Sequence, residues 1–375
     1  MKKLFVFLFF LLLLSFHVRI MANKGVQYYL QDFPYQAAPI RVGEKLSHRF
    51  LNTKHMLYGK NAMHYAEVCT WYGALRFSQV AKDSSLCESL VKRFDPILGR
   101  EHLLQPAPTH VDFNMFGCLP LRIYSITGNP ALLKMGLHYA DSQWELPPSA
   151  SQEQKAWASK GYSWQTRLWI DDMYMIPVVQ LESYQITREP KYLERASEEM
   201  IMYLDRLQKP NGLFYHAPDV PFYWARGNGW VAVGMAEVLS HLPKGSSNYN
   251  HILKCYRKMM DGLRKNINRD GLWNQLIDRT DFWTETSGSA MFTYAMILGI
   301  KKHWLPVDIY GPIVRRAWIS LCDFINDEGD VTEVCIGTGK KNNLEYYRNR
   351  DRITGDYHGQ APMIWCATAL MENDN

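Results

Sequence analysis

The sequence has no cysteine pair in C-x-x-C spacing. Its seven cysteines, Cys69, Cys87, Cys118, Cys255, Cys322, Cys335 and Cys366, are scattered and odd in number. That argues against a disulfide framework or a zinc site, although one incidental disulfide stays open. Cys118 and Cys366 sit in apolar helical patterns and read as core. The twelve histidines show no H-x-x-x-H spacing and no clustering with carboxylates, so no metal is expected. No glycine-rich phosphate loop follows a strand, so no cofactor is expected. The formal charge is +5, but no dense Lys/Arg block is present. No nucleic-acid partner is therefore expected, and no membrane contact beyond the signal peptide. No low-complexity stretch splits the chain.

One apolar run is present, at the start. Lys2 and Lys3 precede an apolar stretch from Leu4 to Phe16, and small residues near Ala22 offer a cleavage site. This reads as a signal peptide over residues 1–22, too short for a membrane span. A retained anchor is the other reading. The expected product is residues 23–375, exported to the periplasm or secreted. Aromatic residues are plentiful, with 12 Trp, 22 Tyr and 16 Phe. They fill cores, and they also stack on sugar rings. Tryptophan near polar residues tilts the expectation toward carbohydrate.

Helical periodicity dominates the remainder. Helices are expected over Ala62 to Gln79, Asn114 to Ile126, Pro130 to Ser142, Trp169 to Ile186 and Pro190 to Leu207. Others cover Gly229 to Ser240, Tyr249 to Lys265, Thr286 to Leu298, Gly311 to Leu321 and Gln360 to Met371. The phrase Thr127-Gly128-Asn129-Pro130 is matched by Thr187-Arg188-Glu189-Pro190, each ending one helix and starting the next. Turns before a short aromatic or β-like segment recur at Asn211-Gly212, Asp270-Gly271 and Glu328-Gly329. A period near sixty suits a helical hairpin plus a functional loop. About six hairpins fit the length, which gives an all-α (α/α)6 barrel forming one catalytic domain over residues 23–375. An open α-solenoid is the rival architecture.

The most informative stretch is Arg167-Leu168-Trp169-Ile170-Asp171-Asp172-Met173-Tyr174-Met175. Two adjacent acids lie inside an aromatic and aliphatic run. A buried carboxylate needs a partner or a proton, and desolvation raises its pKa toward the range useful for acid/base work.

This stretch resembles the catalytic segment of the unsaturated glycuronyl hydrolases. The resemblance is to the unsaturated rhamnogalacturonyl hydrolases of glycoside hydrolase family 105 and their relatives in family 88. Three further phrases carry it, in order: Trp224-Ala225-Arg226-Gly227-Asn228-Gly229-Trp230, Thr286-Ser287-Gly288-Ser289, and Gly355-Asp356-Tyr357-His358-Gly359-Gln360. The resemblance implies the (α/α)6 barrel, an oligosaccharide substrate and a particular reaction. A 4,5-unsaturated uronic acid, left at the non-reducing end by a polysaccharide lyase, is hydrated at its C4=C5 vinyl ether. Asp171 falls on the family's acid/base aspartate. Asp172 falls where glycine is usual and reads as paired or capping. Asp112 matches the second carboxylate. Its alternative reading is a helix N-cap. His216, Trp224, Arg226 and Trp230 match substrate contacts, and Trp169 and His358 are expected at the same rim. Three have ordinary alternatives: loop staple for Arg226, core for Trp230 and satisfied loop histidine for His216, while His358 is expected in a glycine-bracketed loop. The family's histidine before the catalytic tryptophan is missing from Gly161-Tyr162-Ser163-Trp164-Gln165. An inverting glycosidase using Asp112 and Asp171 on saturated sugars is an alternative, as is a non-catalytic carbohydrate-binding toroid.

Overall fold

The computed structural model describes residues 28–373, so the expected signal peptide lies outside the described residues. Twelve longer helices alternate along the chain. They are α1 (Pro39–Leu51), α2 (Tyr65–Val80), α3 (Ser84–Lys92), α4 (Cys118–Thr127), α5 (Pro130–Ser142) and α6 (Asp172–Thr187). Then come α7 (Pro190–Leu207), α8 (Ala225–His241), α9 (Ser247–Arg264), α10 (Thr286–Lys301), α11 (Val307–Cys322) and α12 (Tyr357–Met371). The even-numbered helices form a closed inner ring. α2 packs on α4, α4 on α6, α6 on α8, α8 on α10, α10 on α12, and α12 returns to α2. The odd-numbered helices pack outside it. The closed ring makes this the (α/α)6 toroid and removes the open solenoid.

Burial separates the two layers. α7 buries one face, which includes Tyr192, Ala196, Met200, Tyr203 and Leu207, and leaves the other toward solvent. α10 buries every residue from Thr286 to Ile300, as a helix covered on all sides must. Close approach within the ring depends on two glycines. A Cβ on Gly234 would lie 2.1 Å from the Met173 carbonyl oxygen, and one on Gly288 would lie 2.7 Å from the Ala225 carbonyl carbon. The Thr-Ser-Gly-Ser segment thus allows close packing of α10 on α8.

The two expected hairpin phrases turn sharply. Gly128 (φ 70°) and Arg188 (φ 61°) end α4 and α6 in the left-handed region, and Pro130 and Pro190 open α5 and α7. Two outer helices, α1 and α3, were not anticipated by the sequence pattern. α4 also begins later than expected, after a short helix (Val111–Asn114) and a 3-10 turn (Met115–Gly117). Strand content is slight. β1 (Leu57–Tyr58) pairs antiparallel with β2 (Ala62–Met63), and β3 (Val334–Cys335) with β4 (Arg352–Ile353).

All six inner helices begin at one rim. The connections into them are long, and those leaving the other rim are two to five residues, as at 128–129 and 302–306. The positive ends of six helix dipoles therefore gather beneath the long loops.

Candidate active site

Asp171 stands immediately before α6, at the open rim. Leu168 (φ 56°) turns the chain there, and the Ile170 amide donates to the His216 carbonyl (3.3 Å), which ties the segment to the next long loop. The Asp171 side chain does not cap the helix. It is 9% exposed, and its Oδ2 is buried with no hydrogen-bond partner. Burial, then the nearby Asp112 carboxylate, pushes its carboxyl up to about 7, against the opposing pull of Arg167.

His216 faces it, with Nε2 3.7 Å from Asp171 Oδ2. That separation exceeds a hydrogen bond, and Nε2 is also buried without a partner. The other ring nitrogen lies 2.6 Å from the Tyr347 hydroxyl. Burial, with Arg226 and Lys340 nearby, holds the imidazole down at about 3, so it is neutral in ordinary buffers. Two unpartnered polar groups of facing side chains mark a place built for a third molecule.

Asp172 has the opposite character. It is fully buried and saturated with donors. Arg167 Nη2 (2.6 Å) and Nε (3.0 Å) reach Oδ1, while the Tyr203 hydroxyl (2.7 Å) and the Arg167 amide (3.1 Å) reach Oδ2. The acid in the usual glycine position is therefore a loop anchor. Arg167 extends on to Asp112 Oδ1 (3.3 Å) and the His110 ring (2.9 Å). Its guanidinium also covers the Trp169 ring, 4.8 Å from the centroid. Asp112 is partly buried, and burial raises its carboxyl despite Arg167 and His110. It lies inside the short helix rather than before it. His110 is the N-cap, which corrects the capping alternative for Asp112.

The remaining expected residues divide. Trp169 is half-buried at the rim, edge-on to His216 at 5.7 Å. Trp224 is buried against His216 at 4.6 Å, and its indole Nε1 has no partner. Arg226 is 0% exposed. Its Nη1 donates to the Cys335 carbonyl and its Nη2 to that of Ile336 (2.8 Å), so it staples the β3 loop. The guanidinium is thus spent on the loop, as the staple alternative has it, leaving only a buried, unpartnered Nε. Trp230 is 0% exposed and stacks on Tyr174 at 5.0 Å, which places it in the core and corrects its reading as a substrate contact. His358 lies in the first turn of α12, not in a loop. It is 1% exposed with both ring nitrogens engaged, which corrects its direct substrate contact.

The structure adds residues that the sequence did not single out. His64 and Tyr65, at the start of α2, join the rim. His64 stacks on Tyr58 at 4.2 Å and lies 4.6 Å from Tyr65. Tyr347 and Lys340 come from the long loop before α12. Lys340 bridges to Asp219 (3.2 Å) and stands 6.0 Å from the Trp169 ring. Their only sequence signal is membership of the long segments that precede inner helices. Among the described residues no group of three or more His, Cys, Asp or Glu could hold a metal. Volume alone does not mark the site. A groove of about 580 Å³ lies at the opposite rim by Arg257, Trp304 and Tyr310, but it gathers no buried carboxyl.

Comparison with known proteins gives the family and the fold. A family profile, Glycosyl Hydrolase Family 88, matches residues 41–373. The chain is 24% identical over 312 residues to an unsaturated 3S-rhamnoglycuronyl hydrolase of Alteromonas sp. (strain LOR), covering 76% of this chain and 73% of that protein. It is 24% identical over 251 residues to the unsaturated rhamnogalacturonyl hydrolase YesR of Bacillus subtilis (strain 168), covering 64% and 71%. Among solved structures, a possible member of the GH105 family from Klebsiella pneumoniae aligns with TM-score 0.76 at 17% identity, covering 91% and 94%. The unsaturated glucuronyl hydrolase of Bacillus sp. GL1 aligns at 0.60 and 16%, covering 88% and 96%. These two likenesses speak to the fold alone.

Proposed function

The chain belongs to Glycosyl Hydrolase Family 88, and from that membership we propose that it removes a 4,5-unsaturated uronic acid from the non-reducing end of lyase-generated oligosaccharides. It is a hydrolase acting on glycosyl bonds. The finer reading draws on its relatives, which are named for unsaturated rhamnoglycuronyl and rhamnogalacturonyl substrates. A rhamnose-linked unsaturated uronate of pectin type is the substrate we favour.

One observation carries the mechanism: the buried, unpartnered Asp171 carboxyl, held near neutrality, faces the unpartnered Nε2 of neutral His216. Protonated Asp171 donates to C4 of the unsaturated ring. Positive charge develops at C5 and the ring oxygen. Asp171, now a carboxylate, takes a proton from water as that water adds to C5, with His216 holding the water. The resulting hemiketal opens and releases the aglycone. A pKa near the working pH suits a group that must both give and take a proton. Asp112 sits beside Asp171 as a second carboxylate for sugar hydroxyls, with Arg167 balancing its charge.

The test follows the conjugated double bond. Lyase products should lose their ultraviolet absorbance with the enzyme, and saturated oligosaccharides should remain intact. Equal cleavage of saturated sugars would replace this reading with an ordinary glycosidase. Binding without turnover of either class would replace it with a sugar-binding toroid.

A further inference from the structure

His358 and Tyr65 come from the last and first inner helices. His358 Nδ1 lies 2.6 Å from Asp356 Oδ1, and its Nε2 lies 2.7 Å from the Tyr65 hydroxyl. Asp356 is ionised. The neighbouring imidazole, its own hydrogen bonds and Arg226 hold its carboxyl well below the usual range despite burial. A carboxylate only accepts, so Nδ1 must carry the ring proton. Burial keeps the imidazole neutral, which leaves Nε2 as an acceptor. The Tyr65 O–H must then point at Nε2, and only its lone pairs remain for the cleft. Tyr65 is half-buried, and Asp171, Asp112 and Arg226 are the charges acting on its hydroxyl.

The adjacent His64 has the reverse polarity. Its Nδ1 accepts the Ala66 amide (3.1 Å) as the cap of α2. Burial, His358 and Arg226 hold its ring down at about 3, so it is neutral and its proton sits on Nε2. Nothing within the described residues accepts that proton. One open donor and one open acceptor thus stand side by side, with ring centroids 4.6 Å apart.

We propose that Asp356, His358 and Tyr65 form a polarised chain that fixes the Tyr65 hydroxyl as an acceptor. Tyr65 and His64 then make a subsite for one O–H group that gives a hydrogen bond to Tyr65 and takes one from His64. That O–H belongs to a hydroxyl of the unsaturated sugar or to the attacking water. His358 and Asp356 are positioning residues. The subsite rests on the reaction proposed above, whereas the polarity of the chain does not.

The test has two arms. In protein labelled with ¹⁵N-histidine, long-range proton–nitrogen spectra read each ring's tautomer. The signals are assigned by their loss in His358→Gln and His64→Gln. The expected result is Nδ1–H at His358 and Nε2–H at His64. An Nε2–H tautomer at His358 overturns the chain, whatever the enzyme turns over. In the second arm, Tyr65→Phe keeps the ring and removes the acceptor. It should lower kcat/KM by about tenfold or more, with the melting temperature held. A rise in KM assigns the O–H to the sugar, and a fall in kcat assigns it to the water. Unchanged kcat/KM overturns the subsite. If no unsaturated oligosaccharide reacts at all, the proposed reaction fails. Equilibrium binding of the same sugars to Tyr65→Phe then decides the subsite, with unchanged affinity counting against it.

Discussion

At the open rim, residues 143–171 and 323–356 run as long segments into the inner helices. At the other rim, residues 81–83 and 188–189 suffice to turn the chain. The chemistry of the two ends differs as much as their lengths. The open rim leaves Asp171 Oδ2, His216 Nε2 and Trp224 Nε1 buried without partners. The closed rim pairs its carboxylates. Glu182, 2% exposed, receives Arg122 (2.7 Å) and the Tyr72 hydroxyl (2.8 Å), and Glu237 receives Arg76 (3.3 Å) and Tyr294. Polar groups left unsatisfied cost stability and persist where a ligand completes them. The same residue type therefore serves opposite ends: a carboxyl kept ready for a proton at one mouth, a carboxylate locked by arginine at the other.

The largest test of that contrast is Asp171→Asn, which should reduce turnover of unsaturated oligosaccharides by about a thousandfold or more. Calorimetry should show the fold intact. Near-wild-type turnover would remove Asp171 from the chemistry. At the closed rim, Glu182→Gln should do the reverse. It strands buried Arg122, with an expected cost of about 3 kcal/mol in a urea titration and unchanged kcat/KM. Loss of activity in the folded variant would mean that the two ends are coupled.

The pH dependence sharpens the open rim itself. If protonated Asp171 is the acid, kcat/KM should fall as pH rises through about 7. The stability sign follows from the same shift. The unfolded carboxyl ionises near its ordinary value, while the folded one keeps its proton up to about 7. Folding therefore takes up a proton in between, and stability declines as pH rises across that window. Asp171→Asn should make this decline shallower, leaving the share that buried Glu199 contributes over the same window. Glu199, buried on α7 and also raised to about 7, is the control. It accepts from the Ser163 amide and the Thr166 hydroxyl. Glu199→Gln should leave the kinetic limb in place. Disappearance of that limb would reassign the titration. Asp172→Asn should cost about 2 kcal/mol in the same urea titration, since it weakens the Arg167 anchor. An unchanged midpoint would mean that Arg167 and Tyr203 hold the loop without it. Smallest of all, Lys340→Ala should shift stability by no more than about 0.5 kcal/mol, because its pairing with Asp219 is exposed. A larger shift would make that bridge a structural clamp across the rim.

What the sequence displayed follows the same division. Helices buried all round, such as α8 and α10, and the proline-started hairpins were legible from periodicity and turn chemistry. α1 and α3 were not, because short, charged outer helices carry only a narrow apolar stripe. Asp171 and Asp172 were conspicuous as acids in an apolar run. Their different fates were not, since Asp172 is decided by Tyr203 on another helix. Glu182 sits equally deep within α6 and carries no sequence signal, because a single acid five residues from the helix end reads as surface. The placing of His64 and Tyr65 depends on ring closure, which no local pattern announces.

That closure has a consequence for how the molecule comes into being. Tyr65 and His358 are 293 positions apart, and α12 supplies the last side of the ring. A chain emerging from the ribosome holds the Asp171 segment long before it holds α12. It spends that interval with a gap where α2 and α10 will later be joined. Activity is therefore expected only once the final helix is in place. A chain cut before α12 is expected to carry the acid without a working cleft around it.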